Sequence, residues 1–306
     1  MKFGMSVIVR GPDCGRETFE AMAAKAEETG LDSLWTSDHL VVPALKTSKY
    51  PGRADGSMPE TWRHAYYQPF SVLNYMAALT KTVRLGMSVL ILPMRNPLEV
   101  AAQVAELDQL SDGRVNFGIG IGWYREEFEA LGYDFTTRGK RTDEGLAAMK
   151  ALWAEESATF AGDFYAFEDT RLSPKPVQAP HPPIYVGGNS PPALRRTARH
   201  GDVWHPMKQT PEQVAKSRAV LDTYLREAGR APEDVGTTLK VAIAFQDGPP
   251  TDGQDLTEGR QQDIIDAIRR YEDVGVDEIC LDIRSDSVAE ALSSMDRFAG
   301  EIRPKL

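Results

Sequence analysis

Residues 83–123 read VRLGMSVLILPMRNPLEVAAQVAELDQLSDGRVNFGIGIGW, and the order of residue types in this stretch decides the fold class. The run 83–92 is apolar on both faces and is stopped by Pro93; 97–111 is helix-like; 115–121 is a second apolar run. Strands apolar on both faces belong to a sheet covered on each side by helices, the habit of parallel sheets. The same alternation extends in both directions. Further strand runs fall at 3–9, 33–36, 183–186, 203–205, 239–245 and 278–283, and helical stretches at 17–29, 69–80, 138–155, 191–200, 211–228, 258–275 and 287–300. In the last helix Val288, Ala291, Leu292, Met295 and Ala299 recur at three- and four-residue steps and so share a face. Gly30, Gly201 and Gly275 each follow a helical stretch, where a left-handed closing residue is wanted.

Eight strand–helix units in strict alternation predict a (β/α)8 TIM barrel, with an open doubly wound sheet split into two domains as the competing arrangement. No Pro/Gly/Ser-rich linker marks a boundary, which favours one barrel domain over 1–306. Two connections exceed ordinary loop length. Residues 41–68 follow the second strand, on the face where barrel enzymes build their active sites, and predict an active-site loop. Residues 156–182 precede the fifth strand and alternate like a hairpin, so they predict a structural insertion on the other face.

Composition narrows the function. Acidic residues outnumber basic ones 45 to 35 without a Lys/Arg block, which argues against nucleic acid and anionic membrane as partners. No apolar run approaches the ~20 residues that span a bilayer. The start, MKFGMSVIVRG, is too short for a signal-peptide core and reads as a strand. With Cys14 and Cys280 as the two cysteines, neither a disulfide framework nor a zinc cluster is indicated, and a cytoplasmic protein is expected.

Chemistry-bearing residues gather at strand ends. Asp38 and His39 close the second strand and suit proton transfer or hydrogen bonding to a ring. The glycines of Gly118-Ile-Gly120-Ile-Gly122-Trp123 clear one strand face for a flat ligand or a neighbouring backbone, but do not have dinucleotide-fingerprint spacing. Gly187, Gly188, Asn189 and Ser190, then Pro191 and a helix, form a candidate anion site. The long loop offers Arg53, Trp62, Arg63, His64, Tyr66 and Tyr67 for gripping an organic substrate, and His205 ends the sixth strand without an evident partner. There is no nucleophile elbow and no metal-ligand spacing among the five histidines.

Taken in order, GLDSLWTSDHLVVP, the 83–123 stretch continued through YREEFEALG, and KPVQAPHPPIYVGGNSPPALRRTARHGDVW resemble the luciferase-like monooxygenase superfamily, in its branch of oxidoreductases dependent on the deazaflavin coenzyme F420. The resemblance implies that Asp38 and His39 lie beside the cofactor ring, with His39 a catalytic candidate. It implies a strand bulge at Ser88 and Val89, often holding a non-proline cis peptide behind the ring. Gly120 and Gly122 would pass near the ring, and Gly187 to Ser190 would cradle the phosphate. Trp123 takes the position where the family's sugar-phosphate dehydrogenases carry a catalytic glutamate, which places it at the reacting centre and argues against that reaction. Trp62, Tyr66, Tyr67 and His205 are the expected substrate neighbours, and a homodimer is expected. The implied activity is hydride transfer between F420 and a small organic substrate. The alternatives are an FMN-dependent monooxygenase supplied with reduced flavin by a separate reductase, and a flavin-binding barrel without catalysis.

Overall fold

The computed structural model describes residues 1–306 apart from 52–54, 252–254, 284, 286 and the side chain of Arg63. Arg53 therefore lies outside the described residues. Eight parallel strands close on themselves: β1 (Lys2–Ser6), β2 (Ser33–Thr36), β3 (Arg84–Met87), β4 (Val115–Gly120), β5 (Ile184–Gly187), β6 (Val203–His205), β7 (Gly236–Phe245) and β8 (Glu278–Ile283). Each pairs with the next, and β8 returns to β1 through Lys2 opposite Glu278 and Met5 opposite Leu281. The helices of the described residues are α1 (Arg16–Thr29), α2 (Pro69–Leu79), α3 (Pro97–Leu110), α4 (Arg125–Ala130), α5 (Arg138–Ala154), α6 (Pro191–His200), α7 (Pro211–Glu227), α8 (Gln261–Asp273) and α9 (Val288–Arg297). None is long and apolar enough to cross a membrane.

The expected alternation is present, with local differences. The third run breaks in two: β3 stops at Met87, the Ser88–Val89 peptide is cis, and Leu90–Ile91 pairs again with β4. The seventh helical stretch begins later than its sequence suggests, because Glu258–Gly259 pairs with the end of β7 before α8 starts. Gly30 and Gly275 adopt the left-handed conformation, but Gly201 is extended and turns the chain directly into β6. The 156–182 insertion is an antiparallel hairpin, Ala158–Ala161 with Ala166–Thr170.

The barrel interior is filled by Trp35, which projects inward from β2 and is 1% exposed. Its indole needs the missing side chains of two flanking strands. A Cβ on Gly86 would lie 2.2 Å from Trp35 Cε3, and one on Gly4 would lie 2.4 Å from Trp35 Nε1. Above Trp35 the strands open onto the face where β2, β3, β4, β5 and β6 deliver their terminal residues.

Candidate active site at the C-terminal mouth

Asp38 and His39 leave β2 together but do different work. Both Asp38 oxygens are held: Oδ2 accepts from Ile91 N at 2.8 Å and from Arg95 Nη1 at 2.7 Å, and Oδ1 accepts from Arg95 Nη2 at 2.8 Å. A buried bidentate pair of this kind loses about 3–5 kcal/mol when one partner is removed. Asp38 thus ties the β2 turn to the segment after β3, and its oxygens are committed to that task. His39 is 6% exposed, and its Nδ1 lies 2.6 Å from Oε2 of Glu127, a residue of α4 that is fully buried. Glu127 Oε1 also accepts from Leu40 N at 2.7 Å and Val41 N at 3.2 Å. A carboxylate only accepts, so the hydrogen sits on Nδ1 and Nε2 is left as the working nitrogen.

Rings surround this imidazole. Trp62 lies 4.3 Å away between centroids, Tyr66 at 5.5 Å and Trp123 at 6.1 Å. Tyr50, which sequence reasoning did not single out, joins Trp62 at 5.3 Å and Trp123 at 5.6 Å. Trp62 is buried, and its Nε1 is without a hydrogen-bond partner among the described residues. A buried donor left in that state costs about 1–3 kcal/mol, so it marks a place where a ligand oxygen is wanted. Tyr67 corrects the sequence reading. Neighbouring residues of an extended segment face opposite ways, and Tyr67 is 39% exposed. It turns outward onto Phe19, at a groove of about 420 Å3 beside α1 and α2.

The floor is the cis bond and its props. Val89 reaches two strands that lack side chains: a Cβ on Gly120 would lie 2.5 Å from Val89 Cγ2, and one on Gly187 would lie 2.9 Å from Val89 Cγ1. Gly122 has φ +74° and turns the chain into Trp123. Ser88 Oγ bonds His205 Nε2 at 2.7 Å, and His205 Nδ1 bonds Thr238 Oγ1 at 2.5 Å. With both nitrogens taken by protein hydroxyls, His205 is a support of the Ser88 turn and not the substrate neighbour the sequence suggested. Burial, aided by the positive Lys240, lowers its pKa to about 3, so it is neutral there.

Across the mouth, β5 leads into α6. Gly188 has φ +113°, and a Cβ on it would lie 3.0 Å from Ala193 Cβ. Ser190 is the N-cap and spends no side-chain bond on the helix. Among the described residues, the amides of Asn189, Ser190 and Ala193 have no acceptor, while Asn189 Nδ2 donates to Met207 O. Unpaired amides, a helix start and a glycine that admits close approach fit a phosphate group. Of the two following arginines, Arg196 is buried against Asp143 at 2.5 Å, and Arg195 donates to the Tyr224 hydroxyl at 2.8 Å.

Residues beyond the sequence's candidates brace the long loop. Glu126 Oε1 accepts from the amides of Lys46, Thr47 and Ser48. Burial alone would raise its pKa, and these donors outweigh burial and hold it well below the carboxylate range. The Tyr124 hydroxyl donates to Pro43 O. The signal was the acidic pair in WYREEFEALG, which in isolation looks like a solvated first helical turn.

Comparison with known proteins agrees with this architecture. Residues 1–251 match the profile of the luciferase-like monooxygenase family. An uncharacterised protein of Mycobacterium tuberculosis is 31% identical over 265 residues, covering 86% of this chain and 84% of that one. An F420-dependent secondary alcohol dehydrogenase, solved with an F420-acetone adduct, superposes with a TM-score of 0.79 at 21% identity, covering 99% of this chain and 98% of that one. The oxygenating constituent of 3,6-diketocamphane monooxygenase from Pseudomonas putida, solved with FMN, gives 0.75 at 17% identity, covering 100% and 99%. At these identities the two structures speak to the fold alone.

Proposed function

The chain belongs to the luciferase-like monooxygenase family, and we propose that within it the protein is an F420-dependent oxidoreductase acting at an oxygen-bearing carbon of a small organic substrate. The observation that carries this reading is the buried pair of His39 and Glu127 inside an aromatic box, opposite a phosphate cradle. The bound deazaflavin supplies hydride chemistry: it takes up or returns two electrons with a hydrogen. An alcohol giving up a hydride also gives up its hydroxyl proton, and a carbonyl receiving one needs a proton. His39 Nε2 is the group placed to take or give it, with Glu127 stabilising the charged imidazole.

The other residues bind and orient. Asn189, Ser190 and Ala193 would receive the phosphate of the cofactor tail through their amides. Val89 and the bare strands at Gly120 and Gly187 offer a close-fitting surface for a flat ring, with Asp38 and His205 keeping that surface in place. Trp62 Nε1 would donate to the substrate oxygen, and Tyr66 and Trp123 would exclude water from it.

The same cradle and floor suit FMN, and the neighbour solved with FMN keeps that reading as the competitor. A fluorescence-quenching titration of the purified chain with oxidised F420, and in parallel with FMN, separates them. Micromolar or tighter binding of F420 with FMN much weaker is expected. The reverse preference refutes the proposal and moves the protein to flavin monooxygenases served by a separate reductase.

A further inference from the structure

Arg10 follows β1 and faces the site. Its backbone bridges Tyr66 in antiparallel fashion, with Gly11 N bonded to Ala65 O at 3.1 Å and Tyr67 N to Val9 O at 2.8 Å. Residues opposed in an antiparallel pair project to the same side. Arg10 Nη1 accordingly donates to Ser37 Oγ at 3.3 Å, and Ser37 Oγ bonds the Tyr66 hydroxyl at 2.7 Å. The Tyr66 ring then meets His39 edge-on. One layer of hydroxyls and a ring separates the guanidinium from the imidazole.

Among the described residues, Arg10 stands outside the ion pairs at this end of the mouth. Asp38 is held by Arg95, and Glu127 by His39 and two amides. Asp282 acts on Arg10 electrostatically but lies 3.9 Å from Lys240 Nζ. Among the described residues no carboxylate comes within 4.0 Å of the Arg10 guanidinium. Its partners are hydroxyls, which do not neutralise a half-buried cation. A guanidinium offers five donors in a fork that matches a carboxylate. The cofactor phosphate is the wrong occupant, because its cradle follows β5 and Arg10 follows β1, on opposite sides of the eight-strand ring.

We propose that Arg10 receives a carboxylate of the substrate, so that the substrate is a small organic acid whose reacting carbon lies beside His39. This rests on the hydride-transfer reading for the identity of the reacting carbon, but the anion site itself does not. The test uses the full chain, with and without F420, and follows tryptophan emission, since Trp62 and Trp123 line the box. Acid and amide pairs are titrated: lactate and lactamide, benzoate and benzamide, phenylacetate and phenylacetamide.

At least one acid should bind about tenfold or more tighter than its amide. Arg10→Gln should erase that preference and Arg10→Lys should restore part of it, with F420 affinity unchanged within about twofold. Acids and amides binding alike to the native chain would overturn the proposal without any variant having to fold. So would a preference that survives in Arg10→Gln, or a tenfold loss of F420 affinity in that variant, which would assign the guanidinium to the cofactor. A chain that prefers FMN yet still selects acids would sink the deazaflavin reading and keep the anion site.

Discussion

Replacing Glu127 by glutamine changes one atom type and should change the tautomer of His39. In the native chain Oε2 receives the Nδ1 hydrogen at 2.6 Å, and Oε1 receives the amides of Leu40 and Val41. Glutamine has one oxygen to serve three donors. If the oxygen stays with the two amides, its NH2 group faces His39 Nδ1, which must then accept, and the ring hydrogen moves to Nε2. The charge-assisted bond that is lost is worth about 1.5–3 kcal/mol, part of which the new neutral bond returns, for a net cost near 1–2 kcal/mol. Glu127→Ala is harsher, because three buried donors lose their acceptor. At about 1–3 kcal/mol each and without full additivity, a loss on the order of 3–5 kcal/mol is expected. For a chain of this length that is on the order of 5–8 °C in Tm. Long-range proton–nitrogen NMR of the histidines reads the tautomer directly, and calorimetry reads the stability, neither requiring a substrate. A His39 that keeps its hydrogen on Nδ1 in Glu127→Gln, together with an unchanged Tm in Glu127→Ala, would refute Glu127 as the orienting partner.

Three further outcomes follow from the same geometry. Gly188→Trp puts a large side chain where φ is +113° and Ala193 already stands 3.0 Å from a Cβ; cofactor affinity should fall by about tenfold or more, and an undiminished Kd would mean the cradle lies elsewhere. Trp62→Phe removes a donor that has no partner among the described residues, so the ligand-free Tm should hold or rise, while an oxygen-bearing substrate should bind about 5- to 30-fold more weakly; a drop in Tm with unchanged binding would make Trp62 a packing residue. For His205 the folded pKa is depressed from 6.5 to about 3. The unfolded chain therefore binds the extra proton in that window, and stability falls as pH drops through it, by up to about 1.4 kcal/mol per pH unit. His205→Gln should flatten Tm against pH between about pH 4 and pH 6, and a slope equal to the native one would contradict the neutral buried histidine. His200, lowered to about 4 by burial, leaves a residual slope of the same sign in both proteins.

The barrel was legible because its signal is local and repeated. Each strand is a short apolar run and each helix carries its own periodicity, so eight weak readings add to one strong one. What depends on contacts between distant segments was less legible. The break after Met87 was implied by the family resemblance at Ser88 and Val89, but the run itself marks it only by the polar Ser88, and it is the strand residues Gly120 and Gly187, across the mouth, that make room for Val89. Tyr66 and Tyr67 look equivalent in sequence, and only the antiparallel bridge to Arg10 decides which of them faces inward. Glu127 lies 88 positions from His39, in a six-residue helix with three glutamates. By composition that helix is a solvated turn, yet two of its acids are buried.

Those two acids also hold the 41–68 segment in place. Its first part is fastened to α4, since Glu127 holds the amides of Leu40 and Val41 and Glu126 those of Lys46, Thr47 and Ser48. Its last part is fastened to the β1 and β2 ends, where Tyr66 meets Ser37 and its backbone pairs with Arg10. A segment tied at both ends by buried bonds presents Tyr50, Trp62 and Tyr66 already arranged around His39, so ordering these rings adds little to the cost of binding. Selectivity in such a site comes from what the fixed wall lacks. Among the described residues it lacks an acceptor for Trp62 Nε1 and a carboxylate for Arg10. A ligand bringing both a neutral oxygen and a carboxylate fills both needs, whereas an apolar molecule of equal size leaves a buried donor and a half-buried charge unmet.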